Sequence, residues 1–288
     1  MTLLLTEIYW SDNLLNGFIV FAADRRISKP NGDYLGERKK IFEVQYLQAG
    51  IGYFGLAYVP KKGSAEPEPM SDWLLRFIRK NSLLTNMELC ANELANNLNS
   101  DVPPEWRNKY PSGFHLAGYN SAGIPEFWYI RNVGDDRITI TGSYQHREDF
   151  INRDARALGY DGHNPYSIKP FFGQIYRNGD IRAHAAAWET IDKGFVDLLK
   201  EPQFKKVDTI LDYEKWVAFK MKVIAYFYKK YCKISIIGTR IDKFSIVPKT
   251  NPVSSIAATA STSIGMIENA SSSTTNSMPT SASSRQKT

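Results

Sequence analysis

Phe18-Ile19-Val20-Phe21-Ala22-Ala23 is an unbroken apolar run that stops at Asp24. Six apolar residues bounded by polar ones read as a strand covered on both faces, since a half-exposed strand would alternate. Leu3-Leu4-Leu5 and Ile8-Tyr9-Trp10 precede it, and Ser11 to Gly17 between them carries turn-forming residues, so the start of the chain predicts a hairpin. After a polar loop at Lys29 to Asp33, Lys40 to Gln48 and Gly50 to Val59 predict another strand pair, and Pro60 to Pro69 a breaker-rich loop.

Helical periodicity comes next. Ser71-Asp72 is placed to cap a helix carrying Trp73, Leu74, Phe77 and Ile78, and Thr85-Asn86-Met87-Glu88 reads as a capping box before Leu89, Leu94 and Leu98. Phe114 to Tyr119, Phe127 to Arg131 and Ile138 to Thr141 predict strands. Two more helices follow from steps of three and four: Ile181, His184, Trp188, Ile191, Phe195 and Leu198, then Trp216, Phe219, Val223 and Phe227. Ile234 to Gly238 and Ile241 to Val247 read as closing strands. From about Lys249 the chain turns to Ser, Thr, Ala and Asn without an aromatic residue, which predicts a disordered tail over 249–288. The ordered unit is then 2–248, with strands, two helices, strands, two helices and strands again. That is an α+β layering of helices on a pair of stacked sheets.

Composition narrows the class. With 288 residues, 43% of them hydrophobic, the chain has the material for a sizeable core. Its net charge of +6 is dispersed among acidic residues, and the densest basic groups (Lys39-Lys40, Lys205-Lys206, Lys229-Lys230) are only pairs, so no nucleic-acid footprint is expected. No basic segment precedes the N-terminal apolar residues, and no apolar stretch reaches the ~20 residues that span a bilayer. Cys90 and Cys232 fit no metal or redox spacing and read as reduced, buried thiols. These features predict a cytoplasmic protein without membrane or nucleic-acid partners.

Gly50-Ile51-Gly52-Tyr53-Phe54-Gly55 matches G-x-G-x-x-G, but Pro60, Gly63, Pro67 and Pro69 leave no helix to receive a pyrophosphate. It reads better as a strand whose backbone approaches a ligand or another strand, and no cofactor is called for. His115, His146, His163 and His184 stand singly, His184 on an apolar helical face. The N-terminus carries more chemistry. Removal of Met1 would give Thr2 a free α-amine, whose reference pKa near ~7.7–8.0 makes it a base at neutral pH after a modest shift. A neighbouring lysine ammonium would lower that value by like-charge repulsion, and an aspartate would hold the lysine. Asp24 and Lys40, sixteen positions apart, are candidates for those two roles.

Taken together, Phe18 to Arg26, Lys39-Lys40-Ile41, Gly52 to Ala57, the helix from Trp73, Leu116 to Tyr119 with Gly123 to Phe127, and Ile237 to Asp242 resemble the proteasome β-subunit family, including its bacterial relatives that begin with Thr directly after Met. The pieces lie in order over about 240 residues. The resemblance implies a four-layer αββα sandwich of the Ntn-hydrolase type. It also implies a Thr2 nucleophile with its own amine as base, Lys40 tuning that amine, Asp24 pairing with Lys40, and the Gly55 N–H as an oxyanion donor. The reaction implied is hydrolysis of a peptide or small amide in a homo-oligomer, with any ATPase partner unknown. A non-catalytic scaffold or binding subunit of the same fold is the alternative.

This chain departs from the family in three ways. The Thr2-to-Asp24 span is about six residues longer than usual; opposing the two residues centres the hairpin on Asn13, whereas Thr6 would centre it on Leu15 and would need proteolysis to become terminal. Ser143 is the one candidate for the family's accessory serines. The segment from about 144 to 209 looks expanded.

Overall fold

The computed structural model describes residues 2–10, 17–29, 31–60, 63, 65–134, 139–150, 172–179, 188–205, 207, 209–234 and 236–249. The hairpin tip, His163, His184, the predicted helix start at Ile181 and the Ser/Thr-rich tail lie outside these residues. The fold is mixed α/β, with antiparallel sheets and few helices.

The predicted hairpin is formed by β1 (Leu3–Trp10) and β2 (Gly17–Asp24), and β2 is buried along nearly its whole length, as an all-apolar strand requires. A short pair, β3 (Arg26–Ser28) and β4 (Tyr34–Glu37), flanks the polar loop. The next predicted pair is β5 (Ile41–Val44) and β6 (Ala49–Phe54), joined by a 3-10 turn over Gln45–Leu47. Gln48 caps that turn in the left-handed region, so β5 is shorter than the apolar pattern predicts. β7 (Tyr58–Val59) and β8 (Glu68–Pro69) pair across the breaker-rich loop.

Helix α1 (Met70–Lys80) starts one residue before the predicted cap, with Pro69 as its N-cap residue; Asp72 lies in its first turn, where a carboxylate offsets the helix dipole. In α2 (Met87–Asp101) the cap is Asn86, whose side chain accepts from the Leu89 N–H at 2.8 Å. A short α3 (Pro104–Arg107) leads to β9 (Gly113–Tyr119), β10 (Pro125–Val133) and β11 (Ile140–Phe150). β11 is longer than the pattern predicts, and β12 (Phe172–Gly179) is absent from the sequence reading. The last helices are α4 (Glu189–Lys200) and α5 (Ile210–Tyr231), the latter capped by Thr209. β13 (Ile241–Ile246) is the last strand described, and at the other expected closing strand the described residues 234 and 236–238 are not in a strand. There the Gly238 N–H donates to the Asp24 carboxylate instead of to a neighbouring strand.

The main sheets have the orders β12-β1-β2-β13 and β11-β10-β9-β6-β5. Leu3, Leu5, Val20 and Ala22 share a core with Val217, Met221 and Ile224 of α5. Ile51, Phe114, Leu116 and Ile130 share another with Trp73 of α1 and Leu94 of α2. Between them, Leu4, Ile8, Ile19 and Phe21 of one sheet meet Ala117, Phe127 and Tyr129 of the other. The alternation of side chains along each strand divides these cores. The sheets approach closely at Gly50 and Gly52: a Cβ at Gly50 would lie 2.6 Å from the Phe21 ring, and one at Gly52 would lie 2.6 Å from Leu4 Cδ1. The glycine-rich run thus serves contact between sheets, and the element that follows it is the strand β7, not a helix. Cys90 is buried as expected, but Cys232 is exposed, because it stands just past the end of α5.

Gly50→Ala is expected to lower stability by about 1–3 kcal/mol through overpacking between the sheets, read as a lower denaturant midpoint at unchanged slope.

Candidate active site

Strand register decides what stands beside Thr2. Trp10 pairs with Gly17 and Leu4 with Ala23, so the register continues to Leu3 opposite Asp24. Thr2 is therefore one position out of register with Asp24. Six residues separate the last paired positions, so the hairpin centres between Asn13 and Leu14 instead of on Asn13. Thr6 lies in mid-strand, opposite Phe21 on one side and Tyr176 on the other.

The Asp24 side chain is wholly buried and accepts four hydrogen bonds. Oδ1 takes the Leu3 N–H at 2.8 Å and the Lys40 ammonium at 3.1 Å. Oδ2 takes the Arg26 N–H at 3.1 Å and the Gly238 N–H at 3.0 Å. A carboxylate has about four lone-pair sites, so this one is saturated, which offsets the cost of burying it. Lys40 is also wholly buried, and its ammonium makes a second bond to the Arg26 carbonyl at 2.7 Å. Burial pushes the Lys40 pKa below the usual lysine value, and the Asp24 charge and hydrogen bond oppose that shift. One residue outward, Arg25 grips Asp242 through Nε at 2.7 Å and Nη2 at 2.6 Å, tying β2 to the start of β13.

Thr2 itself is buried, with 6% of its surface exposed. Two backbone features hold it. The Leu3 N–H is bound to Asp24, and Gly179 of β12 lies against the Thr2 carbonyl. Gly179 has φ of +119°, and a Cβ there would overlap that carbonyl oxygen, so only glycine meets both demands. Gly55 follows β6 with φ of +86°, pinched against the Pro111 carbonyl and the Ser112 backbone. It lies two residues beyond Tyr53, whose N–H donates to the Lys40 carbonyl at 3.1 Å. The structure therefore joins Leu3, Asp24, Lys40, Arg26 and Gly238 in one hydrogen-bonded cluster. It sets Thr2 next to that cluster and Gly55 outside it.

Ser143 lies on β11, at the far edge of the sheet opposite the one that holds Thr2. The sequence reading missed Gly179, which belongs to a strand it did not detect. It also missed the connection made by His115. That imidazole faces the other sheet and reaches Thr6 Oγ1 at 2.9 Å from Nδ1, and Asn178 Oδ1 at 2.5 Å from Nε2. The available signal was polar residues, Thr6 and His115, inside the mostly apolar strands β1 and β9. Among the described residues, no group of three or more His, Cys, Asp and Glu side chains is placed to hold a metal ion, and no helix is long and apolar enough to cross a membrane.

No protein-family model and no curated protein matches this chain. Among solved structures it is similar to eukaryotic HslV from Trypanosoma brucei, with 13% identity, 86% of this chain and 99% of that chain covered, and a TM-score of 0.41. It is also similar to an Anbu mutant from Hyphomicrobium sp. strain MC1, with 12% identity, coverage of 96% and 100%, and a TM-score of 0.43.

Asp24→Asn leaves the Lys40 charge buried without its counter-ion, and an expected loss of about 3–5 kcal/mol is measurable by urea denaturation. The pH response follows from the lowered Lys40 pKa. Between the folded-state value and about 10.4 in the unfolded chain, the unfolded state binds more protons, so stability rises with pH. Below that window the cost of charging Lys40 is fully present. Wild type should therefore gain stability relative to Lys40→Met as pH is raised from neutral to about 10.4.

Proposed function

We propose that this chain is a threonine-type N-terminal nucleophile hydrolase that cleaves a peptide or small amide bond. The observation that carries the reading is the saturated Asp24 carboxylate, which holds Lys40 on one side and the residue after Thr2 on the other. The three cores, with helices outside and two sheets between, support a four-layer αββα sandwich for the domain over 2–248.

In this reading Met1 is removed and the Thr2 α-amine becomes the general base. The Lys40 ammonium, fixed by Asp24 and the Arg26 carbonyl, disfavours a second positive charge on that amine and keeps it able to accept a proton near neutral pH. Thr2 Oγ1 attacks the substrate carbonyl and its proton passes to the amine. The Gly55 N–H receives the developing oxyanion. The amine then protonates the leaving nitrogen, and an ester on Thr2 remains. Water, deprotonated by the same amine, releases the acid and restores Thr2. The enzyme works as a homo-oligomer without a cofactor.

The direct test is turnover of a fluorogenic peptide panel by the processed protein. Thr2→Ala should abolish hydrolysis by at least about 10³-fold, whereas Thr2→Ser retains measurable activity. Retention of Met1 in the intact mass, or turnover unchanged in Thr2→Ala, contradicts the reading and leaves the non-catalytic scaffold in its place.

A further inference from the structure

Four polar side chains lie away from the Asp24 cluster, in the layer between the two sheets. Thr6 and His115 are fully buried and Tyr129 is 4% exposed. His115 and Tyr129 face each other on β9 and β10, while Thr6 and Asn178 belong to β1 and β12 of the opposite sheet. Asn178 Oδ1 accepts from the Tyr129 hydroxyl at 3.0 Å and also meets His115 Nε2. With that oxygen as acceptor, the imidazole carries its proton on Nε2 and accepts a hydrogen bond from the Thr6 hydroxyl at Nδ1. One ring thus crosses the gap between sheets and bonds two adjacent strands. The Phe127 and Tyr129 rings stand nearly edge-on to it at 5.1 Å and limit its rotation.

The two strands so joined are those that flank Thr2. Asn178 pairs with Leu4, and the next residue, Gly179, pairs with Leu3 and touches the Thr2 carbonyl. Thr6 is four positions along β1 from Thr2. The Asp24 bond fixes Thr2 from the β2 side, and nothing in that bond sets the β12 side.

We propose that His115 is a positioning residue for Thr2: through Thr6 and Asn178 it docks the paired strands β1 and β12 on the opposite sheet, and so holds the Gly179 backbone that seats the nucleophile. This inference rests on the reading of Thr2 as nucleophile. A displacement of about 1 Å at a reacting atom costs about 10²-fold in rate, so a clamp outside the reaction centre has a measurable effect on turnover.

The test uses the full-length processed protein, with active sites counted by titration with an acylating β-lactone. His115→Ala should lower kcat per titrated site by about 10- to 100-fold with KM within about twofold. It should also speed amide hydrogen exchange over residues 3–6 and 176–179, with the exchange of α2 unchanged. His115→Gln offers an amide N–H to Asn178 and an oxygen to Thr6, and should recover most of both effects. Tyr129→Phe, which leaves the imidazole in place, should give a smaller fall in kcat. Unchanged exchange at β1 and β12 in His115→Ala overturns the clamp. Faster exchange with kcat per site unchanged overturns positioning and leaves a purely structural role. A wild-type protein that neither turns over peptide nor forms a Thr2 adduct overturns the nucleophile reading itself, and the inference with it; the exchange data then report only on strand docking.

Discussion

The rest of the site depends on one buried carboxylate. Asp24 ends a strand that is apolar on both faces, so its charge sits where water does not reach it. Burial of an ion at that place is tolerable only if every lone pair is used, and here four donors from four parts of the chain use them. Those donors are the start of β1, the start of β3, the approach to β5 and the segment before β13. Satisfying one side chain therefore brings together regions as distant in sequence as Leu3 and Gly238. The chemistry placed on Thr2 uses the same arrangement, because the Lys40 cation and the first strand are held by the same oxygen.

The surrounding fold supplies rigidity on both sides of that carboxylate. The Arg25–Asp242 pair locks β2 to the beginning of β13, just beyond the point where Arg25 N–H meets the Arg240 carbonyl. The glycines of β6 let the second sheet approach the first, and the Phe21–Phe244 stack at 5.1 Å fills the space they leave. Across the sheet–sheet layer the polar contacts of His115 reach β1 and β12 away from the charge. Two kinds of interaction thus fix one strand end: a saturated ion near Thr2 and a neutral hydrogen-bonded network several residues along.

What was legible in the sequence was local. The apolar run ending at Asp24 gave the hairpin, and the mostly apolar stretch from Phe114 to Tyr119 gave a central strand. The periodicity around Trp216 gave a helix, although α5 extends beyond the residues that revealed it. The Asp24–Lys40 interval was readable because an α-amine serving as base calls for a nearby cation and an acid to hold it, and the two side chains do pair. The partners of Asp24 that are backbone groups left no mark, since an N–H has no residue type. Gly238 could have been suspected only from its place before Ile241-Asp242. β12 escaped notice because Gln174, Arg177 and Asn178 interrupt its apolar pattern, and one of them is polar for the sake of a contact with His115. The hairpin offset by one residue came from the even number of residues in the turn, which hydrophobicity does not report.

The central claim is that this hydrogen-bonded cluster makes Thr2 a nucleophile. It is tested most directly by treating the wild-type protein with a β-lactone and locating the adduct by peptide mass mapping. The account predicts one acyl group per chain on an N-terminal Thr2, with labelling abolished in Lys40→Ala that remains folded. Absence of an adduct on a Thr2 shown to be N-terminal, or equal labelling of Thr2 in folded wild type and Lys40→Ala, would contradict it.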